Sequence, residues 1–317
     1  MKKLLITKTL PDATLNAARA RFDVTLRSEN KGLTVEEAAA ALRDYDAILP
    51  TLGDGFTADA FTGEIRCGVL ANFGVGYNHI DVAAATAAGV AVSNTPDAVT
   101  DATADIGLTL ILSACRRAGE GERIVRAGTW KGWQPTQMLG THVTGKTVGI
   151  VGMGRIGQAV ARRCHYGFEM PVLYFNRSPK AVDLPAQQVA TLHDLMAQAD
   201  IIVVTVPGGG SNTKLIDAAA LAAMKPTGIF VNIARGDVVD EEALITALQT
   251  GQIAGAGLDV YAKEPYVPET LRALENVVLL PHLGTAALEV REAMGQMALD
   301  NIIAWDEGRP LPQGVLS

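Results

Sequence analysis

The sequence predicts an α/β protein of two domains, each a parallel sheet flanked by helices, with a cleft between them. Three observations carry that expectation. Short apolar runs alternate with alanine-rich amphipathic runs along most of the chain. The alternation is interrupted near residue 100 and resumes near residue 146. A length of 317 residues suits two domains, at ~150 residues per domain.

In the first part, Leu4 to Thr7, Phe22 to Leu26, Tyr45 to Pro50, Val69 to Phe73 and Val90 to Ser93 read as strands. Asp12 to Arg21, Thr34 to Arg43 and Asp81 to Ala88 read as the helices between them. Strands joined through helices run parallel, because the crossover returns the chain to the same end of the sheet. Thr100 to Arg126 reads as one long connecting helix, with Thr100 or Asp101 as N-cap ahead of the apolar face of Ile106, Leu110 and Ile111. From Lys146 the strands are Thr147 to Val151, Val172 to Phe175, Ile201 to Val206, Ile229 to Ala234, Gly257 to Val260 and Val277 to Leu280. Six is the number in a full dinucleotide-binding sheet. The last helix, about Ala287 to Trp305, follows the sixth strand with no sheet of its own left to cover. It is expected to pack back on the first domain, which makes the domains 1–98 with 288–317, and 99–287.

Composition narrows the function classes. With 48% hydrophobic residues the chain can bury substantial cores, so disordered and fibrous readings are excluded. A balance of 27 basic against 34 acidic residues, net charge −7 and without long charge runs, argues against nucleic-acid binding. Cys67, Cys115 and Cys164 are widely spaced and suggest neither a disulfide framework nor a thiolate metal site. No metal site is expected. The opening Met1 to Lys8 is basic, but Lys8 cuts its apolar run too early for a signal peptide. The longest comparable run, Ile106 to Cys115, is too short to cross a bilayer, which takes roughly 20 residues. The protein is expected to be soluble and cytoplasmic.

The strongest local motif is Gly152-Met153-Gly154-Arg155-Ile156-Gly157, placed between the strand ending at Val151 and the helical Gln158 to Cys164. In that setting Gly152 permits a tight turn, Gly154 lets backbone approach a pyrophosphate, and Gly157 lets helix and strand pack closely. The helix N-terminus then offers free N–H groups to phosphate. An NAD site places a carboxylate on the ribose about 20 residues further on. Here the next strand instead ends Asn176-Arg177-Ser178. Arg177 and Ser178 suit a 2′-phosphate, so NADP(H) is expected to be preferred, with NAD(H) possible.

Three ionisable residues follow the last strands: Arg235 after Ala234, Glu264 after Tyr261, and His282 after Pro281. Ligands of open α/β sheets bind at this carboxyl edge. Together the three supply what reduction of a 2-oxo acid needs. Arg235 can fork onto the substrate carboxylate and polarise the carbonyl. His282 can protonate the oxygen as hydride arrives, and Glu264 can orient the imidazole and favour its charged form. His79, His142, His165 and His193 are assigned no catalytic role.

With these residues in hand, the chain resembles the D-isomer-specific 2-hydroxyacid dehydrogenases, most closely their glyoxylate/hydroxypyruvate reductases, over essentially its whole length. The matching stretches are Asn72 to Asp81, Gly152 to Gly157, Asn232 to Gly236, Gly257 to Tyr261 with Glu264-Pro265, and Pro281 to Gly284. The resemblance implies a flavodoxin-like substrate-binding domain beside a Rossmann domain, with Arg235, Glu264 and His282 as the catalytic three. It implies a substrate site at Val75, Gly76, Arg235 and His282. Cofactor contacts are implied at Gly152, Gly154, Arg155, Ile156, Gly157, Asn176, Arg177, Ser178, Val206, Pro207, Ile233, Ala234, Gly284 and Asp259, the last on the nicotinamide carboxamide. A homodimer is implied, with Trp130 and Trp133 near the partner. The run Val206 to Ser211 departs from the family pattern in its richness in glycine. Competing readings keep the fold: another small acid such as phosphite or a bulkier 2-oxo acid with NAD, or a nucleotide-sensing binding protein of the corepressor kind.

Overall fold

In the computed structural model, which describes residues 1–315, the chain divides into two compact units. One comprises Met1–Val99 with the stretch from Thr285, and the other Thr100–Gly284. Residues 316 and 317 of the expected stretch 288–317 lie outside the described residues.

The first unit begins with β1 (Lys3–Ile6), α1 (Asp12–Arg19), β2 (Asp23–Leu26), α2 (Val35–Asp44), β3 (Ala47–Leu49), β4 (Val69–Ala71), α3 (Val82–Ala87) and β5 (Ala91–Ser93). All five strands are parallel in the order β2-β1-β3-β4-β5, the flavodoxin-like winding. β3 and β4 are apolar and fully buried, as strands covered on both faces by helices must be. Local chemistry sets the helix starts. Thr34 and Glu37 form a reciprocal capping box on α2, and Asp81 accepts from the Ala84 amide to start α3.

The second unit contains α4 (Thr100–Cys115), α5 (Ala118–Arg126), β6 (Val148–Val151), α6 (Arg155–Phe168), β7 (Val172–Phe175), β8 (Ala186–Gln188), α7 (Leu192–Gln198), β9 (Ile201–Val204), α8 (Ala218–Ala222), β10 (Ile229–Asn232), α9 (Glu241–Gln249), β11 (Gly255–Leu258), α10 (Glu269–Arg272) and β12 (Val277–Leu279). Its strands are all parallel, ordered β12-β11-β10-β9-β6-β7-β8. That is the Rossmann winding, which reverses direction between β6 and β9. A seventh strand joins the six expected ones. β8 reads Ala-Gln-Gln and is largely exposed at the sheet edge, so it carries no apolar signature.

The single helix expected over 100–126 is two. The Cys115 carbonyl accepts from the Thr141 amide, and Arg117 turns left-handed at φ 52°, which starts α5 on a new axis. Thr100 and Asp101 lie within the first turn of α4 rather than at its cap, and Asp101 pairs with Arg163 of α6. α4 lies directly on the sheet. A side chain at Gly257 of β11 would bring its Cβ within 2.8 Å of Leu110.

The final helix α11 (Leu288–Asp306) belongs to the first unit. Its Ala298, Leu299 and Ile302 complete the core formed by Leu4, Ile6, Leu49 and Val69. Gly295 lies against Thr14, and Trp305 lies against Gly68 with the Lys2 ammonium over its ring. Cys67, Cys115 and Cys164 are buried and unpaired, and burial pushes their thiols up to about 12, 11 and 12. Such thiols are inert packing groups. Among the described residues no helix is long and apolar enough to cross a membrane.

Candidate active site

β6 delivers the chain to the glycine turn and α6 begins at Arg155 directly after it, with Gly154 at the N-cap. The three glycines answer to different demands. Gly152 has φ +98°, and a Cβ there would strike Val206 at 2.6 Å. A Cβ at Gly157 would strike the Gly152 carbonyl at 2.2 Å. A Cβ at Gly154 would meet nothing within 4 Å. Protein packing explains the first two. The third stands in open space beside the amides of a helix N-terminus, which is the arrangement a pyrophosphate needs.

At the end of β7, Asn176 ties the neighbouring loops together. Its Oδ1 accepts from the Met153 amide at 3.2 Å and its Nδ2 donates to the Ser178 carbonyl at 2.7 Å. An aspartate could make the first bond but not the second, since an ionised carboxylate has nothing to donate. Arg177 and Ser178 are exposed, and the Arg177 guanidinium donates to Ser211 Oγ at 3.0 Å. Val206 packs on Gly152, and the Pro207 carbonyl accepts from Asn212. The side chains of Ile233 and Ala234 are buried in the cores.

Beyond β10, β11 and β12 stand Arg235, Glu264 and His282. His282 Nδ1 lies 2.7 Å from Glu264 Oε2, and Glu264 Oε1 accepts from the Tyr261 amide at 3.0 Å. The Tyr261 hydroxyl donates to the Leu280 carbonyl at 2.8 Å, joining the loop after β11 to the end of β12. The peptide bond from Glu264 to Pro265 is cis. Burial pushes the Glu264 carboxyl up. The bond and charge of His282, the Tyr261 amide and the charge of Arg235 together outweigh that effect and hold it below the usual carboxylate value.

His282 itself sits at φ 56°, a strained conformation for a residue with a Cβ. Asp259 holds it there. Its backbone carbonyl accepts from the His282 amide, and its two carboxylate oxygens accept from Leu283 at 2.6 Å and Gly284 at 2.8 Å. The Gly284 carbonyl is taken by Thr103. Asp259 is 1% exposed, and desolvation keeps its carboxyl above the usual value despite those amides.

Arg235 is set by Asn232, whose side chain donates to the Arg235 carbonyl and accepts from the Ala234 amide. A Cβ at Gly236 would overlap the Tyr261 carbonyl at 1.9 Å. That close approach is how the Arg235 turn and the Glu264 loop come together. Burial pulls the Arg235 guanidinium down from its ordinary value, opposed by the charges of Glu264 and Asp237.

In the first unit, Val75 and Gly76 lie in the turn after β4. Asn72 donates to the carbonyls of Gly74 and Gly76, and Asn94 donates to that of Val75. Three consecutive carbonyls are thereby satisfied, while the amides of Val75 and Gly76 make no hydrogen bond among the described residues. Two adjacent N–H groups are thereby left open to an anion. Sequence reasoning missed Asn94 and gave Asn72, Asn232 and Tyr261 no role of their own. The available signal was a polar residue at the end of an apolar strand, which must find partners when buried.

A seven-stranded Rossmann sheet with this glycine turn, and with an acid–imidazole pair and an arginine at its carboxyl edge, defines an NAD(P)-dependent oxidoreductase. Residues 108–284 match the family model described as D-isomer specific 2-hydroxyacid dehydrogenase, NAD binding domain, and the chain belongs to that family. It is 43% identical over 316 residues to the glyoxylate reductase of Thermococcus kodakarensis, covering 98% of this chain and 95% of the relative. It is 37% identical to the glycerate dehydrogenase of Hyphomicrobium methylovorum, covering 96% and 95%. The crystal structure of an NADPH-dependent glyoxylate/hydroxypyruvate reductase from Sinorhizobium meliloti, in complex with NADP and malonate, superposes with TM-score 0.89 at 35% identity. It covers 99% of this chain and 96% of that one.

Proposed function

We propose that the protein reduces small 2-oxo acids, glyoxylate and hydroxypyruvate foremost, to the matching D-2-hydroxy acids. The observation that carries this reading is the Glu264–His282 pair at 2.7 Å, on the same sheet edge as Arg235 and the phosphate turn. The bound nicotinamide supplies the hydride. Because Glu264 occupies Nδ1 of His282, the ring's other nitrogen is the one that passes a proton to the developing alkoxide. Glu264 stabilises the imidazolium before that transfer. Arg235 forks onto the substrate carboxylate and polarises the adjoining carbonyl. The free amides of Val75 and Gly76, in the first unit, are groups of the kind that bind a carboxylate.

The cofactor would lie along Gly152, Gly154, Arg155, Ile156 and Gly157 for the pyrophosphate, and Val206, Pro207, Ile233 and Ala234 for the stretch between. Gly284 and Asp259 would meet the nicotinamide end, Asp259 through lone pairs left over from Leu283 and Gly284. Asn176, Arg177 and Ser178 favour NADPH: Asn176 brings no negative charge to repel a 2′-phosphate, and Arg177 brings a positive one. The Sinorhizobium relative, described as NADPH-dependent, supports that preference.

The relatives named glyoxylate reductase and glycerate dehydrogenase favour a small oxo acid over phosphite, a bulkier acid or a purely sensing role. We assign the first unit to substrate binding and the second to the nucleotide, and place the enzyme in the cytoplasm as a homodimer. Val125, Trp130, Trp133 and Leu139 stand exposed on and after α5 and supply an apolar face for the second subunit. The deciding experiment measures initial rates with glyoxylate, hydroxypyruvate, pyruvate and phosphite against NADPH and NADH. Fastest turnover of glyoxylate or hydroxypyruvate with NADPH is expected. Binding of nucleotide without turnover of any acid would overturn the reading.

A further inference from the structure

We propose that Asp237 is a positioning residue that fastens the glycine strap Gly208 to Gly210 against the Arg235 side chain, and so sets how the guanidinium meets a substrate carboxylate. The inference rests on the reading of Arg235 as the substrate clamp. Asp237 lies in the short 3₁₀ turn after β10, two residues beyond Arg235. Its Oδ2 accepts from the Gly209 amide at 2.7 Å, and its backbone carbonyl accepts from the Lys214 amide at 2.8 Å.

The strap, its anchor and the arginine stem are in mutual contact. A Cβ at Gly208 would stand 2.7 Å from Asp237 Oδ1 and 2.9 Å from Arg235 Cβ, closer than real side chains approach. Glycine at 208 is therefore what lets the Arg235 stem and the Asp237 carboxylate share that space. Gly209 and Gly210 have φ +75° and +54°. Three consecutive glycines have large backbone freedom, and an anchor is needed to give such a run one shape.

Asp237 exerts two effects of opposite sign on a bound anion. Its hydrogen bond fixes the wall beside Arg235, which favours an ordered clamp. Its negative charge offsets the guanidinium, which weakens attraction for a carboxylate. Two substitutions separate them. Asp237→Ala removes both bond and charge, whereas Asp237→Asn keeps an oxygen for the Gly209 amide and removes only the charge.

The probe is oxamate, an unreactive 2-oxo acid mimic, titrated into the NADPH-bound enzyme, alongside glyoxylate kinetics and melting temperatures. Asp237→Ala should weaken oxamate binding and raise KM for glyoxylate by about tenfold, and lower kcat as well, because the misplaced guanidinium also polarises the carbonyl less. Asp237→Asn should bind oxamate as tightly as wild type or more tightly. Gly208→Ala, which pushes directly on the Arg235 stem, should reproduce the Asp237→Ala result. The proposal fails if Ala and Asn move oxamate binding equally, if neither moves it, or if Gly208→Ala binds like wild type. Should Asp237→Ala not fold, Asp237→Asn and Gly208→Ala still decide. A wild-type enzyme that binds no oxamate and reduces no 2-oxo acid would instead overturn the underlying reading, and the inference with it.

Discussion

At one end of the second sheet's carboxyl edge, Arg235, Glu264, His282 and Asp259 are tied to backbone from three neighbouring strands. At the other end, Asn176 is tied down, but Arg177 and Ser178 lie exposed, with one hydrogen bond from the guanidinium to Ser211. The first region is preorganised, with a strained His282 held by a buried carboxylate. The second is a surface contact. Groups that stabilise developing charge work best where water is excluded and nothing must reorganise. Groups that only discriminate between two cofactors can stay in solvent, where each interaction is screened and worth less. Substitutions at the first end should therefore cost far more than substitutions at the second.

The largest expected effect is at His282. His282→Ala should lower kcat by about 10²- to 10⁴-fold, the usual contribution of a placed proton donor. NADPH affinity, measured by nucleotide fluorescence, should hardly change. Near-normal turnover would break the comparison at its foundation.

Arg235→Lys comes next, because lysine keeps the charge and loses the fork. Affinity for glyoxylate and rate should both fall, by about tenfold to hundredfold in kcat/KM. Unaltered kinetics would assign the carboxylate grip to the Val75 and Gly76 amides alone.

Glu264→Gln acts through His282. Reduction uses the protonated imidazole, so loss of the anion should move the alkaline limb of its pH–rate profile toward lower pH, since the imidazolium then gives up its proton more readily. Stability should follow the same pair. The Glu264 carboxyl lies below its ordinary value in the folded protein. Its contribution is therefore present above the unfolded carboxylate pKa and lost as pH falls through the lowered folded one. Urea unfolding should show the gap between wild type and variant closing on acidification. A profile identical to wild type would reduce Glu264 to a structural residue.

The smallest effect belongs to the exposed end. Wild type should prefer NADPH over NADH by about tenfold in kcat/KM, the low end for charge-assisted bonds once solvent screening is counted. Asn176→Asp with Arg177→Ala should shift the enzyme toward NADH. An NADH-preferring wild type would show that Arg177 holds no 2′-phosphate.

Much of the fold was legible because its signals are local. Apolar runs bounded by turn residues mark strands that are buried on both faces, and β7 falls on the residues expected of it. Thr34 and Asp81 announced their helices through side chains that bond only a few residues away. Where the signal was not local, reading failed. The break at Arg117 depends on an amide from Thr141, and β8 has polar residues because an edge strand need not be apolar.

The candidate site divides along the same line. From the sequence alone came the glycine turn, the missing carboxylate at Asn176, and the three ionisable residues, because each follows an apolar strand and parallel strands bring their carboxyl ends to one edge. Only the tertiary structure could decide that Nδ1 of His282 faces Glu264, and that Asp259 clamps the His282 turn. It alone shows that Asn72 and Asn94 leave two amides free, and that Asp237 reaches the glycine strap. Each of these joins residues from different loops within hydrogen-bond reach. Such distances are set by how strands twist, helices pack and glycines allow backbones to meet, and no spacing along the chain encodes them.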